Sequence, residues 1–237
     1  MIRDKKGSLV DRAYGVAKSR ILDADMLPDS FVDEAALAVE LGTSKTPVRQ
    51  ALNRLSAEGF IRILPQRGTL VNRITMADIQ QVYFLRELLE PAASELAATR
   101  ATPAQIEQLK ELDEQFQSSN ETRPDFDLHT RIHVGIAQIA GLPRMTKVIS
   151  ELQDQMHWFL SVRAAEGGPL PPRHRHTDLI EAVKTGDPAT ARQITEESIR
   201  KSRDKIVFAS ATSGSYGLYS PDTFAWREPS EQGDARR

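Results

Sequence analysis

Several polar side chains interrupt the apolar stripes of this sequence at helical spacing. His129 and His133 are four residues apart, so on a helix they share one face, which also carries Phe126, Ile132, Ile136 and Ile139. His176 falls in phase with Leu179, Ile180 and Val183, whereas His174 projects from the other side. Arg86 shares a face with Ile79, Val82 and Tyr83, with Glu90 one turn on, and Ser198 lines up with Ala191, Ile194 and Ser202. Inward histidines are commonly hydrogen-bonded core residues, and an inward Arg with a Glu at i+4 is commonly a buried ion pair. A His-x3-His pair can equally hold a divalent metal, and a third imidazole completes a facial set that keeps positions open. Either way, buried polar groups in this number require compensation by one another or by a shared partner.

A second set of residues has the chemistry to meet a polyanion. Between Ser44 and Arg73, the cations Lys45, Arg49, Arg54, Arg62, Arg67 and Arg73 stand against Glu58 alone. Up to Thr75 there are 12 Lys and Arg against 9 Asp and Glu, so this part is basic while the rest of the chain is acidic. A basic stretch in an acidic chain is the electrostatic footprint of nucleic acid. At about 100° per residue, Val48, Ala51, Leu52 and Leu55 share one side of a helix, with Lys45, Thr46, Arg49, Gln50 and Asn53 opposite. Lys, Arg, Asn and Gln are the side chains that reach phosphates and base edges in the major groove.

The elements that must position these residues follow from periodicity and breakers. A helix runs from Ser8 to Asp25, Leu27–Asp29 is a turn, and a short helix from Asp33 to Leu41 ends at Gly42. A third helix starts at Ser44 or Thr46, with Pro47 in its first turn, where a missing N–H costs little. Phe60–Leu64, a Pro65–Gly68 turn and Thr69–Val71 read as a β-hairpin with Gln66, Arg67 and Gly68 at its tip. Two helices across a tight turn, followed by a hairpin, make a winged helix-turn-helix over residues 8–74.

From Thr75 onward the pattern is helical. The first helix runs from Thr75 to Thr99 with a kink expected at Pro91, and a capping box at Thr102–Gln105 opens a second that ends near Gln117. A loop at Asn120–Pro124 precedes helices over Asp125–Ala140 and Arg144–Ala165. A Gly167–Pro172 loop precedes Arg173–Lys184, and Asp187-Pro188 opens a last helix reaching Phe208. The expected fold is mainly α: the winged helix-turn-helix, an all-α bundle of six to seven helices over 75–209, and a flexible tail over 210–237.

Composition excludes several classes. With 237 residues, 40% hydrophobic and 27% charged, the chain has the balance of a globular protein. No apolar run approaches the ~18 residues of a membrane span, and the N-terminus lacks the apolar core of a secretory signal. The absence of cysteine removes disulfides and thiolate sites, and a cytoplasmic location is expected. Between His129 and His133 stand Thr130, Arg131 and Ile132, so the carboxylate of a His-Glu-x-x-His hydrolase is missing. There is no Gly-x-Ser-x-Gly elbow and no phosphate-binding glycine loop, so the chain is not expected to be an enzyme.

The run from Leu37 to Ile61, followed by Arg67–Val71, resembles the winged-helix domain of GntR-type bacterial transcription regulators. The resemblance implies that Ser44, Lys45, Thr46, Arg49 and Gln66 to Gly68 contact double-stranded operator DNA, and Asn53 shares the polar face that carries them. Lys45 stands where an arginine is usual and Gln50 where a glutamate is usual. The stretch His129–Pro143, His176–Asp187 with Ala191, and Arg86–Glu90 is similar to the FCD ligand-binding domain of the FadR branch. That resemblance implies a helical bundle holding a divalent metal (Zn or Ni) through one Asp and three His, with a small organic acid completing the site. His133 and His176 fall on two of the histidine positions, His129 on the Asp position, and Ser198 on the last His position. Metal ligands here would be His129, His133 and His176. The effector carboxylate would meet these, Ser198 and Arg86. The whole then reads as a homodimeric, ligand-responsive regulator, a repressor, in which an effector shifts the population between two arrangements of the dimer.

Overall fold

The computed structural model describes residues 8–118, 125–168, 170 and 175–212. The loop expected at Asn120–Pro124, the middle of the Gly167–Pro172 loop, His174 and the tail from 213 lie outside the described residues.

Local chemistry sets the helix starts. Ser8 accepts from the Asp11 amide and Asp11 answers the Ser8 amide, closing a capping box on α1 (Leu9–Leu22). A two-residue strand, β1 (Phe31–Val32), precedes α2 (Glu34–Glu40), whose first amides donate to the Asp33 carboxylate. Gly42 takes φ of +62°, a left-handed conformation that glycine adopts without penalty, and so turns the chain into α3 (Lys45–Ala57). β2 (Ile61–Leu64) and β3 (Gly68–Val71) form the hairpin. β1 then pairs with the outer edge of β3, Phe31 opposite Leu70, giving an antiparallel sheet in the order β1-β3-β2. The hairpin expectation therefore lacked a strand. Two residues are too short to display the alternation by which strands are read.

Among the described residues the second half contains six helices: α4 (Met76–Ala98), α5 (Pro103–Ser118), α6 (Phe126–Ile139), α7 (Pro143–Ala165), α8 (Thr177–Thr185) and α9 (Pro188–Thr212). α4 carries its own Thr75–Asp78 capping box and continues through Pro91. Asp125 caps α6, and Pro143 takes the first position of α7, where its absent N–H is no loss. α8 begins at Thr177 rather than Arg173. His176 is its N-cap, with φ −90° and ψ 2°, and not a residue of the helix itself. α9 extends past Phe208 to Thr212, so the first residues assigned to the tail are helical.

Packing joins the two halves. Val48, Ala51, Leu52 and Leu55 of α3 meet Ala13, Ala17 and Ile21 of α1, and Trp158 and Val162 of α7 complete the same core. Trp158 packs on Phe60 with ring centroids 5.5 Å apart. One face of α7 thus belongs to the winged domain while another, with Ile149, Leu152 and Met156, faces the bundle.

Candidate functional site

The polar face of α3 is open to solvent: Ser44, Lys45, Thr46, Arg49, Gln50 and Asn53 are all exposed, as are Gln66, Arg67 and Gly68 at the hairpin tip. Ser44 is the N-cap of α3, but its hydroxyl makes no capping bond. The tip is formed by Gln66 in a left-handed conformation and by Gly68 at φ +110°, where the Phe31 ring lies 3.5 Å from where a Cβ would sit.

The structure supplies acids that proximity in sequence does not reveal. Arg49 Nε donates to Glu34 at 2.9 Å, Arg54 donates to Asp11 at 2.9 Å and lies over the Tyr14 ring, and Arg73 pairs with Asp29. Glu58, the one acid within the basic stretch, is instead bound by Tyr14 and Lys18. Among the described residues Lys45, Arg62 and Arg67 make no ion pair, so their charge is available to a phosphate backbone.

In the helical half, three histidines converge. One nitrogen from each of His129, His133 and His176 lies within 4.8 Å of the others. The ring centroids are 4.6 Å apart for His129 and His133, and 5.2 Å from each of these to His176. His133 and His176 are buried, and His129 is half-buried. α6 places the first two by its i,i+4 repeat, and the start of α8 brings the third.

Carboxylates hold the far sides of two of these rings. His133 Nδ1 lies 2.9 Å from Glu90 Oε2. Glu90 Oε1 accepts from Arg86 Nε at 2.6 Å and from Gln153 Nε2 at 2.8 Å. His176 Nδ1 is 3.0 Å from Asp113 Oδ1, which also accepts the His176 backbone N–H at 3.2 Å. Burial works against the charge of Glu90, but Arg86 and His133 outweigh it and hold its carboxyl down at about 2. Asp113 is likewise opposed by burial and held at about 2 by its bonds from His176. At His133 burial wins over Glu90 and lowers the imidazole pKa, so Arg86 is the charge that keeps Glu90 ionised. His133 is therefore neutral near pH 7, and its buried Nε2 has no hydrogen-bond partner among the described residues.

Arg86 is thus linked to the histidines through Glu90, and its buried guanidinium also lies over the Tyr83 ring. Ser198 is half-buried on α9, between Thr195, which bonds Ser94, and Ser202, which bonds Tyr83. Sequence reading missed Asp113 and Gln153. Both had a signal, since Asp113 breaks the stripe of Ile106, Leu109 and Phe116, and Gln153 breaks that of Ile149, Leu152 and Met156.

The comparisons with known proteins agree with this arrangement of elements. The family described as bacterial regulatory proteins, gntR family, matches residues 9–71, and the FCD domain matches residues 81–201, about half of the chain. This chain belongs to the GntR family of transcription regulators and carries an FCD domain. The HTH-type transcriptional repressor RspR of Escherichia coli is 28% identical over 208 residues, which cover 81% of this chain and 89% of RspR. The Nta operon transcriptional regulator of Aminobacter aminovorans is 34% identical over 138 residues, covering 56% of this chain and 65% of the relative. Among solved structures, E. coli McbR/YncC superposes with a TM-score of 0.72 at 21% identity, covering 86% of this chain and 98% of that one. A GntR regulator from Rhodococcus sp. RHA1 gives 0.69 at 16% identity, covering 86% and 99%. These two share the fold. The GntR domain makes this a DNA-binding regulator rather than an enzyme, and none of its described helices is long and apolar enough to cross a membrane.

Proposed function

We propose that this GntR regulator is a homodimeric repressor whose operator affinity is set by a small organic acid bound at the histidine cluster together with a divalent metal. The winged domain, residues 8–74, reads the operator. Ser44, Lys45, Thr46, Arg49 and Asn53 enter the major groove, while Gln66, Arg67 and Gly68 touch phosphate or the minor groove. The bundle, residues 75–209, binds the effector and the second protomer.

The observation that carries this reading is the meeting of three imidazoles whose other nitrogens are, at His133 and His176, already held by carboxylates. Such a set fits Zn²⁺ or Ni²⁺: nitrogen donors, a fixed ring orientation, and a buried Nε2 at His133 that no described residue satisfies. A bound ion would supply a Lewis-acid position for a carboxylate oxygen. The chain's own contribution is to hold three lone pairs together and keep Glu90 and Asp113 ionised. Because Arg86 is already committed to Glu90, an acid that also engages Arg86 must compete for that bond.

A second protomer fits the strip of Phe84, Leu85 and Leu88 on α4, which are 57%, 40% and 57% exposed. The strip is uncharged and can therefore meet its own copy across a twofold axis. α4 starts soon after β3, so pairing there would fix the separation of the two recognition helices. Metal analysis of purified protein, followed by calorimetry of chelator-stripped protein with Zn²⁺, Ni²⁺ and acetate, malonate or citrate, tests the effector reading. Uptake of about one ion per chain and tighter acid binding with metal are expected. Acid binding indifferent to metal would point to direct binding by His and Arg86, and no binding of either would remove the site.

A further inference from the structure

Two carboxylates on neighbouring helices face Nδ1 of His176 and of His133. Asp113 on α5 makes three contacts at the start of α8: to the His176 backbone N–H at 3.2 Å, to His176 Nδ1 at 3.0 Å, and to the Thr177 hydroxyl at 3.2 Å. His176 occupies the N-cap position without making a side-chain cap of its own, so the cap of α8 comes from another helix. Glu90 on α4 faces His133 on α6 in a similar way, its Oε2 lying 2.9 Å from His133 Nδ1 in a close ion-pair contact, while Arg86 and Gln153 fix its other oxygen.

We infer that Asp113 and Glu90 are positioning residues for metal binding, each taking the Nδ1–H of one imidazole and leaving Nε2 of His176 and His133 as the ligand atoms. This rests on the metal reading given above. A neutral imidazole carries one N–H and one lone pair, so the partner of one nitrogen decides which atom can bind a metal. A carboxylate on Nδ1 also makes the ring a better donor. The consequence is specific to this chain. All three direct ligands are imidazoles, so they bring no negative charge, and Glu90 and Asp113 supply it from the far side of two of the rings. Asp113 further ties the ion to the fold, because the same carboxylate that aims His176 caps the first turn of α8.

The test uses the full-length protein. In metal-free, ¹⁵N-histidine-labelled protein, long-range ¹H–¹⁵N spectra should show His133 and His176 as Nδ1–H tautomers. Nε2–H tautomers would overturn the inference whatever the protein does with metal. Asp113→Asn and Glu90→Gln should each weaken Zn²⁺ binding by about 10- to 100-fold in a chelator competition, and should alter the visible spectrum of the Co²⁺ form. The exposed Asp178→Asn, on the first turn of α8 but outside this network, should bind as wild type. Zn²⁺ held by the Asp113 and Glu90 variants with wild-type strength would overturn the role assigned to both. Should the variants fail to fold, the tautomers of the wild-type protein still decide. Nδ1–H tautomers in a wild-type protein that takes up no Zn²⁺ would refute the metal reading, and with it any part for Asp113 and Glu90 in metal binding, while their hold on the rings stands.

Discussion

Arg49 sits in the middle of the exposed face of α3, and in the proposed complex its bond to Glu34 would give way to an operator contact. An exposed ion pair of this kind contributes at most about 1 kcal/mol, whereas a bidentate contact to a base edge contributes about 1–3 kcal/mol. The exchange therefore favours DNA. Arg49→Ala should cost about 1–3 kcal/mol on the cognate operator and relax specificity at one position, while Arg67→Ala should weaken binding evenly across sequences. Fluorescence titrations on operator and scrambled duplexes separate the two, and an unchanged Arg49→Ala would take α3 out of the groove. The buried carboxylates make a pH prediction of definite sign. Glu90 and Asp113 are both held at about 2, below the ordinary values of 4.5 and 3.8. Their contribution to stability is complete above about pH 4.5 and is lost as pH falls toward about 2. Urea unfolding of metal-free protein should show a falling midpoint across that window, with a shallower fall in Asp113→Asn. At this scale the sequence was partly legible. An i,i+4 pair announces itself, so His129 and His133 could be placed on one face. That His176 joins them, or that Arg49 meets Glu34, depends on contacts between distant segments that no local period encodes.

α7 is the element where periodicity said least and packing matters most. Its sequence is apolar on more than one side, because it serves two cores: Trp158 and Val162 complete the winged domain, and Ile149 and Met156 face the bundle. Polar contacts reinforce the joint, with Asp154 on Lys18 at 2.7 Å and His157 on Asp23 at 3.0 Å. The neighbouring Gln153 holds Glu90, which holds His133. A single rigid helix therefore touches both the histidine site and α1. Trp158→Ala should destabilise the protein by roughly 3–5 kcal/mol, seen as a lower thermal midpoint. It should also loosen the winged domain, read as faster amide exchange in α1 and α3. A midpoint within a degree or two of wild type would mean that α7 does not complete that core. Helix existence and order were legible throughout from capping residues and breakers. What escaped was β1, too short to alternate, and the start of α8, whose cap lies on another helix.

Over the whole molecule, the proposed function needs two recognition helices held one DNA turn apart by a dimer. Leu88→Glu places a charge in the α4 strip and should convert full-length protein to a monomer in sedimentation, with operator affinity falling by orders of magnitude as the linked half-sites are lost. A dimer unchanged by Leu88→Glu would place the interface elsewhere. The basic and acidic halves were visible from composition. The apolar strip of α4 was not, because Phe84, Leu85 and Leu88 look in sequence like ordinary core residues, and only the folded chain leaves them at the surface. In the function proposed above, the histidine cluster governs DNA binding. This control is tested most directly by measuring affinity for an operator selected from random duplexes, by fluorescence anisotropy, in three states: metal-stripped, Zn²⁺-loaded, and Zn²⁺ with citrate. Affinity should differ between these states by roughly 5- to 150-fold in the wild type, and not at all in the His133→Ala/His176→Ala double variant. One affinity for the wild type in all three states, or the same response in the double variant, would contradict it.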